Sequence, residues 1–310
     1  MDTIISGLKG RDLRAISDFT PAESRAILDL AIGMKRDRHT GGLEGKTLAM
    51  IFEKPSLRTR VTFDVAMTQL GGHSIYLQPA EINLGVREPV NDAARVLSRV
   101  VDGIMIRTFA HKTVVDLAEH ATVPVINGLC DFEHPCQAYA DFETIIEHKG
   151  DPKGLKVVYV GDGNNVAHSL MLLAAQVGSH FVCACPHGYE PDAGVTEMAR
   201  AYARESGGSV EIEVAPRIAV KNADAVYTDV WTSMGQEAER ERRLNVFADY
   251  QINSDLMAYA KPDAIVLHCL PAHRGEEITD EVIEGPNSAV FDEAENRLHA
   301  EKAILYALMR

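Results

Sequence analysis

Arg58 and Arg60 stand two apart in Glu53-Lys54-Pro55-Ser56-Leu57-Arg58-Thr59-Arg60, beside the hydroxyls of Ser56 and Thr59. That combination suits an oxyanion, phosphate above all, because a guanidinium offers parallel N–H donors that match two anionic oxygens. The flanking sequence strengthens the reading. Thr47 through Phe52 is an apolar strand-like run, and Val61 through Leu70, closed by Gly71-Gly72, is helical. The eight residues thus form a loop that ends at a helix N-terminus, where free backbone N–H groups and the positive end of the helix dipole face an anion. Ser56 is placed as the N-cap. A capped surface helix with two solvated arginines would share this local pattern.

Other polar sets have the same relation to strands. Arg107-Thr108 closes the run Gly103-Ile104-Met105-Ile106-Arg107, and His134-Pro135-Cys136-Gln137 opens a helix. A histidine there can donate to a developing oxyanion without full charge. Farther on, Asp229-Val230-Trp231-Thr232-Ser233-Met234-Gly235 follows one strand, and His268-Cys269-Leu270-Pro271 ends another. His268, Cys269 and His273 raise the question of zinc, but strand alternation is expected to turn His268 and Cys269 to opposite faces, and no fourth ligand is evident. No metal is expected. Gly161-Asp162-Gly163-Asn164-Asn165-Val166-Ala167 follows a strand and opens a helix, yet position 166 is Val and the next strand ends Cys-Ala-Cys-Pro-His, so a dinucleotide fingerprint is incomplete. No cofactor is expected. The turn can still offer Asn165 and backbone N–H groups to a small carboxylate.

The elements that must position these residues alternate. Thr20-Pro21-Ala22-Glu23 is a capping box that starts a helix running to about Met34. Strands are expected at 47–52, 73–77, 103–107 and 123–126, separated by helices near 58–70, 90–100 and 112–120. A long helix follows from Pro135 to Gly150, stopped by Asp151-Pro152. The second half repeats the scheme with strands at 156–160, 181–185, 210–214, 224–228 and 264–268 and helices at 165–177 and 191–206. A last helix covers about 293–309. This alternation predicts an α/β chain of two doubly wound parallel-sheet domains joined by two helices. The expected boundaries are a first domain over 1–133 completed by helix 293–310, an interdomain helix over 134–150, and a second domain over 151–292. Segment 232–250 lacks an apolar period before Phe247 and reads as a solvated charged face or a flap over a site. In such sheets ligands bind at the carboxyl ends of strands, where all the polar sets above fall.

Bulk composition narrows the partners. A length of 310 residues with 46% apolar content supports two cores, and a formal charge of −14 argues against a broad nucleic-acid or anionic-membrane surface. A phosphate ligand must then be held by a few focused arginines. The N-terminal decapeptide lacks a signal peptide's basic region and apolar core, and no stretch is long enough to span a bilayer. Five cysteines at irregular spacing do not form a disulfide framework. A cytoplasmic protein, with neither nucleic acid nor membrane as partner, is expected.

Ser56-Leu57-Arg58-Thr59-Arg60, His134-Pro135-Cys136-Gln137, Asp229 through Gly235 and His268-Cys269-Leu270-Pro271 stand in one order across nearly the whole chain. In that order and spacing the chain resembles the aspartate/ornithine carbamoyltransferase family. The resemblance implies a first domain that binds carbamoyl phosphate through Ser56, Leu57 (by its backbone), Arg58, Thr59 and Arg107. It implies that Arg107 and His134 polarise the carbamoyl carbonyl, that Gln137 meets the amide nitrogen, and that Arg297 completes the anion site. Cys269 and Leu270 are implied contacts as well, with Leu270-Pro271 as a cis peptide. Asn83 stands where ornithine enzymes usually carry Gln, a residue that reaches in from a neighbouring subunit. Leu57 replaces a common Thr.

The acceptor follows from charge. Aspartate would want an additional cation in the second domain, whereas the chain offers Asp229, Asn165, Ser233, Met234 and Cys269. A carboxylate such as Asp229 suits an α-ammonium group and Asn165 an α-carboxylate. The expected reaction moves the carbamoyl group to the side-chain amine of L-ornithine, giving L-citrulline and phosphate, with Arg107, His134, Cys269 and Asp229 as catalytic residues. Putrescine, an N-acylated ornithine or aspartate is the alternative acceptor. A dinucleotide dehydrogenase and a phosphate-binding scaffold are the rivals from other classes. A homotrimer, or an assembly of trimers, is implied by the resemblance.

Overall fold

The computed structural model describes residues 2–37, 39–232 and 237–310, apart from the side chains of Pro79 and Glu237. The chain divides into two compact units, Met1–Glu143 with Glu295–Arg310, and Thr144–Ala294. In order, the first unit contains α1 (Asp2–Gly7), α2 (Pro21–Lys35), β1 (Thr47–Phe52), α3 (Leu57–Gln69), β2 (His73–Leu77) and α4 (Pro79–Ile82). It continues with α5 (Val90–Leu97), β3 (Gly103–Arg107), α6 (His111–His120), β4 (Val125–Leu129) and the start of α7 (Pro135–Lys149). The second unit has β5 (Lys156–Val160), α8 (Asn165–Val177), β6 (His180–Ala184), α9 (Ala193–Ser206), β7 (Ser209–Glu213), α10 (Pro216–Ala219) and β8 (Ala225–Thr228). After these come α11 (Arg240–Val246), α12 (Ser254–Met257), β9 (Ile265–His268), α13 (Asp280–Ile283) and α14 (Val290–Met309). The chain crosses from one unit to the other within α7 and again within α14.

Both sheets are parallel, in the orders β2-β1-β3-β4 and β7-β6-β5-β8-β9. The order reverses direction between β1 and β3 in the first unit and between β5 and β8 in the second. Loops leaving the carboxyl ends of those neighbouring strands diverge to opposite faces and leave a crevice, which is the reason ligands bind there. The central strands are buried on both faces: all five residues of β3 are buried, as are residues 48–52 of β1, whereas the edge strands β2 and β7 are partly exposed. Such two-faced burial is what helix-covered parallel sheets require. One core joins Ala49, Ile51, Ile104, Ile106, Val114 and Leu117 in the first unit; another joins Val158, Val160, Val226, Val266, Phe247 and Trp231 in the second.

Most element boundaries agree with the sequence pattern, and the departures have local causes. β4 begins at Val125 rather than 123, because Pro124 has no N–H to give a ladder and contributes only its carbonyl, which accepts from Ile104. α5 stops at Leu97, three residues early, where the Ser98 hydroxyl donates to the Ala94 carbonyl at 2.7 Å. Thr20 and Glu23 form the expected reciprocal cap of α2. The charged segment is more ordered than expected: Arg240–Val246 is helical, Phe247 is fully buried, and Arg243 is buried against Asp162. Among the described residues, no helix is long and apolar enough to cross a membrane.

Candidate active site

In the first unit, register fixes the geometry. Phe52, the last residue of β1, pairs with Arg107, the last of β3, and Glu53 N–H donates to the Arg107 carbonyl at 2.8 Å. The loop leading to α3 therefore lies beside the Arg107 side chain. Ser56 caps α3 as expected: its Oγ accepts from Thr59 N–H at 3.3 Å and donates to Thr59 Oγ1 at 3.0 Å. Arg297 comes in from α14 and donates to the same Thr59 Oγ1 at 2.5 Å. With two donors on its oxygen, the Thr59 hydroxyl has its own hydrogen to offer a ligand. Arg58 is half-buried in the first turn of α3. Arg60 departs from the opening expectation, since its guanidinium lies 4.0 Å over the Tyr76 ring on an exposed face.

His134 is buried in this group just ahead of α7. Burial first, then the charges of Arg297 and Arg107, hold its imidazole well below the usual histidine range. It is neutral at physiological pH and donates a single N–H. Gln137, one turn into α7, gives its Nε2–H to Asp141 Oδ1 at 2.7 Å, which turns its carbonyl oxygen away from Asp141 and makes that atom the acceptor. Lys54, unassigned from sequence, is buried beside Arg107 with its ammonium 4.3 Å over the Phe109 ring. Burial and Arg107 push its pKa down. The same helix brings the Glu301 carboxyl to Arg297, 3.6 Å from Nη2, and burial lifts Glu301 to about 8. Buried cations concentrated around a largely neutral acid are costly in the absence of an anion, so the group is built for an anionic ligand.

Asn83 is exposed at positive φ (40°) in the loop beyond β2. Its side chain makes no hydrogen bond among the described residues. Leu57 is also exposed, with its backbone at the first position of α3.

In the second unit, Asp229 follows β8 and is almost fully buried. Its Oδ1 accepts from Cys269 Sγ at 3.1 Å and from Val230 N–H at 2.8 Å, and its Oδ2 accepts from Asn164 Nδ2 at 3.0 Å. Among the described residues, no lysine or arginine pairs with it. A buried carboxylate held by neutral donors alone attracts a cationic group. Asn164, beside Asn165, carries a role that the sequence pattern does not assign. It is the N-cap of α8, its Oδ1 accepting from Val166 and Ala167 N–H at 2.9 and 3.2 Å, while its Nδ2 holds Asp229. Asn165, the first residue of α8, is partly exposed. Asn164→Ala is expected to cost about 1 kcal/mol of stability through the lost cap. Denaturant unfolding reads this, and Asn164→Ser, which restores the cap but not the bond to Asp229, should recover most of it.

The glycine-rich turn has a packing explanation. A Cβ on Gly163 would lie 2.3 Å from Pro191 N and 2.6 Å from the Glu190 carbonyl carbon, so the glycine admits a neighbouring backbone. Asp162 pairs with Arg243 at 2.6 Å, and Arg243 also donates to the Trp231 carbonyl at 2.9 Å. That tie secures one end of the segment containing Ser233 and Met234, which themselves lie outside the described residues.

The expectation that His268 and Cys269 face apart is corrected. Donor atoms of Asp229, His268 and Cys269 lie within 4.8 Å of one another. Alternation holds only within a strand, and β9 ends at His268, so Cys269 already belongs to the turn. Both ring nitrogens of His268 are committed: Nδ1 accepts from Leu270 N–H at 2.9 Å and Nε2 donates to Glu277 Oε1 at 3.0 Å. These bonds set the turn rather than a metal. Leu270-Pro271 is cis, as the resemblance implied, and Leu270 has φ 56°.

The pairs Gln137/Asp141 and Arg297/Glu301 sit at helical i,i+4 spacing, a signal visible in the sequence once the helices were assigned. The Asn164–Asp229 bond has no comparable signal, since its partners stand 65 positions apart, whereas the His268 bonds to Leu270 and Glu277 are local but lie in an irregular turn without a helical or strand period.

Comparison with known proteins places both units. Residues 11–147 match the family model "Aspartate/ornithine carbamoyltransferase, carbamoyl-P binding domain", and 153–308 match "Aspartate/ornithine carbamoyltransferase, Asp/Orn binding domain". The ornithine carbamoyltransferase of Pyrococcus abyssi is 58% identical, over 99% of this chain and 98% of its own. The anabolic ornithine carbamoyltransferase of Pyrococcus furiosus is 57% identical over the same shares. Among solved structures, ornithine carbamoyltransferase from Pyrococcus furiosus has a TM-score of 0.94 at 58% identity, covering 97% of this chain and 98% of that one. The Thermus thermophilus enzyme has 0.87 at 47%, covering 96% and 99%. Relatives of this identity along nearly the full length, matched on the donor and acceptor units alike, establish that the chain belongs to the aspartate/ornithine carbamoyltransferase family.

Proposed function

We infer that the chain transfers the carbamoyl group of carbamoyl phosphate to the side-chain amine of L-ornithine, giving L-citrulline and phosphate. The full-length relatives named for ornithine support it. The observation that carries the acceptor is Asp229, a buried carboxylate held by neutral donors and therefore suited to an amino acid's ammonium group.

In this reading the phosphate takes the N–H groups at the start of α3, the Ser56 and Thr59 hydroxyls, and the guanidiniums of Arg58, Arg107 and Arg297. The neutral His134 and Arg107 point donors at the carbamoyl oxygen, and Gln137 accepts from the carbamoyl nitrogen. Asp229 takes the α-ammonium of ornithine and Asn165 its carboxylate, with Ser233 and Met234 completing the acceptor loop and Cys269 and Leu270 beside the reacting carbon. The deprotonated side-chain amine attacks the carbonyl carbon. Arg107, His134 and Thr59 hold the tetrahedral oxyanion, the C–O bond to phosphate breaks, and the amine's proton leaves with the departing phosphate. Cys269 and Asp229 orient the attacking nitrogen. Orientation and preorganised charge supply the rate, with no covalent enzyme intermediate.

A cytoplasmic homotrimer, or an assembly of trimers, fits the surface and the thiols. All five cysteines are free. Leu57, Val61 and Val65 lie one turn apart along α3 and are exposed, as is Ile75 on the edge strand β2. An apolar stripe of this kind is covered in an oligomer. It would seat a partner copy next to the cradle, where that copy's Asn83 could contribute.

Phosphate release from carbamoyl phosphate, measured separately with L-ornithine, putrescine, N-acetylornithine and aspartate, tests the assignment. Release with ornithine is expected to dominate; release only with another acceptor would reassign the second unit, and none with any would remove the reading.

A further inference from the structure

Beside the cradle lies a buried acid that the transfer chemistry does not use. Glu301 is buried on α14, one turn beyond Arg297, with Oε1 3.6 Å from Arg297 Nη2. Arg297 spends that same Nη2 on Thr59 Oγ1. The Glu301 carboxyl thus sits beside the guanidinium that closes the anion site. The groups acting on it come from several elements: Arg297 on α14, Arg107 at the end of β3, Thr62 on α3 and the Cys136 thiol on α7. His134, ahead of α7, feels the charges of both Arg297 and Arg107.

We propose that Glu301 is a proton-linked positioning residue: protonated, it leaves the Arg297 charge to a phosphate ligand, and ionised, it competes for that charge. The cause is proximity. A carboxylate in contact with a buried guanidinium neutralises it, and a dianion arriving at that guanidinium meets a repelling charge. The change falls in an accessible range, because burial holds the carboxyl at about 8 against the opposing pull of Arg297, Thr62 and Arg107. Burial and then Glu301 itself push the Cys136 thiol well above its ordinary range, so the thiol stays neutral while Glu301 titrates. Linkage is reciprocal: if ionisation of Glu301 weakens anion binding, anion binding favours its proton.

The inference deepens the proposed donor site and rests on that reading for the identity of the anion. The experiment uses the full chain with two probes, inorganic phosphate for binding and carbamoyl phosphate for turnover, between pH 7 and 9.5. For wild type, phosphate affinity and the carbamoyl-phosphate KM should each worsen about tenfold more than for Glu301→Gln, the scale of a typical coupling between two bound species. Wild type should also take up a proton on binding phosphate near pH 8, read by calorimetry in buffers of different ionisation enthalpy, which keeps the test alive if the glutamine variant folds poorly. Parallel pH profiles of the two proteins, or binding without proton uptake beyond that of phosphate itself, would overturn the proposal. Linked phosphate binding without carbamoyl transfer would retain Glu301's role while removing the assigned reaction. A thermal series adds a signature that a purely packing role would not show. The folded-state pKa lies above the unfolded one, so the stability that Glu301 contributes is fully present below pH 4.5 and is lost progressively as pH rises from there to about 8. The melting temperature of Glu301→Gln relative to wild type should climb over that range and then level off.

Discussion

Arg107→Leu is expected to lower turnover by about 10²–10³-fold, the effect of removing one preorganised donor from a developing oxyanion. Three features make Arg107 the most sensitive position. It ends β3 directly opposite the last residue of β1, so a rigid parallel ladder sets its backbone. Its side chain is buried, where a charge acts through a low dielectric. Its neighbour His134 is held neutral first by burial and then by Arg297, both of which remain when Arg107 is lost, so the imidazole does not replace the missing cation. Single-turnover kinetics at saturating carbamoyl phosphate checks this. A loss confined to KM, with kcat unchanged, would show that Arg107 binds donor and transition state equally and does not act on the oxyanion. Arg107→Lys should restore little, since a point charge lacks the fork that spans carbonyl and phosphate oxygens.

Asp229→Asn is expected to raise the ornithine KM by about 10²-fold or more, within the range for truncating one side of a buried charged hydrogen bond. The amide preserves volume but removes the negative charge. It also inserts an N–H donor among Asn164 Nδ2, Val230 N–H and Cys269 Sγ–H, all of which now donate to the carboxylate. Donor against donor leaves at least one of these bonds unmade, so the site loses its charge and its geometry together. Initial rates against ornithine concentration read the effect, while phosphate binding to the first unit should be unchanged. An Asp229→Asn protein with normal ornithine KM would sink the assignment of the α-ammonium to this carboxylate.

These predictions show which parts of the protein are local. The capped loop at Ser56 and the strand ends at Arg107, Asp229 and His268 were legible because strand and helix periods, caps and turns depend on a few neighbouring residues. Parallel topology followed from alternation, and placement of polar groups at carboxyl ends followed from topology. Motif order added the family, and with it Arg297, which nothing near residue 297 would have assigned.

What escaped the sequence are facts about pairs. Arg60 had the residue type of a phosphate ligand but is engaged by Tyr76 on the adjacent strand. Beside Asn165, the adjacent Asn164 is bonded to Asp229, 65 positions away, a pairing that no local pattern announces. His268 and Cys269 were assigned to opposite faces by a rule that ends with the strand. The gap in sequence between partners sets the limit: Arg297 and Thr59 are separated by 238 positions.

The sequence by itself therefore determined the reactive inventory, the two α/β units and the family, because each is written in short-range patterns or in motif order. Only the tertiary structure decided charge states and partners. His134 is neutral and Glu301 titrates near 8 because burial and distant arginines act on them through space. Desolvation and Coulomb interactions depend on what surrounds an atom, and those surroundings exist only once the chain has folded.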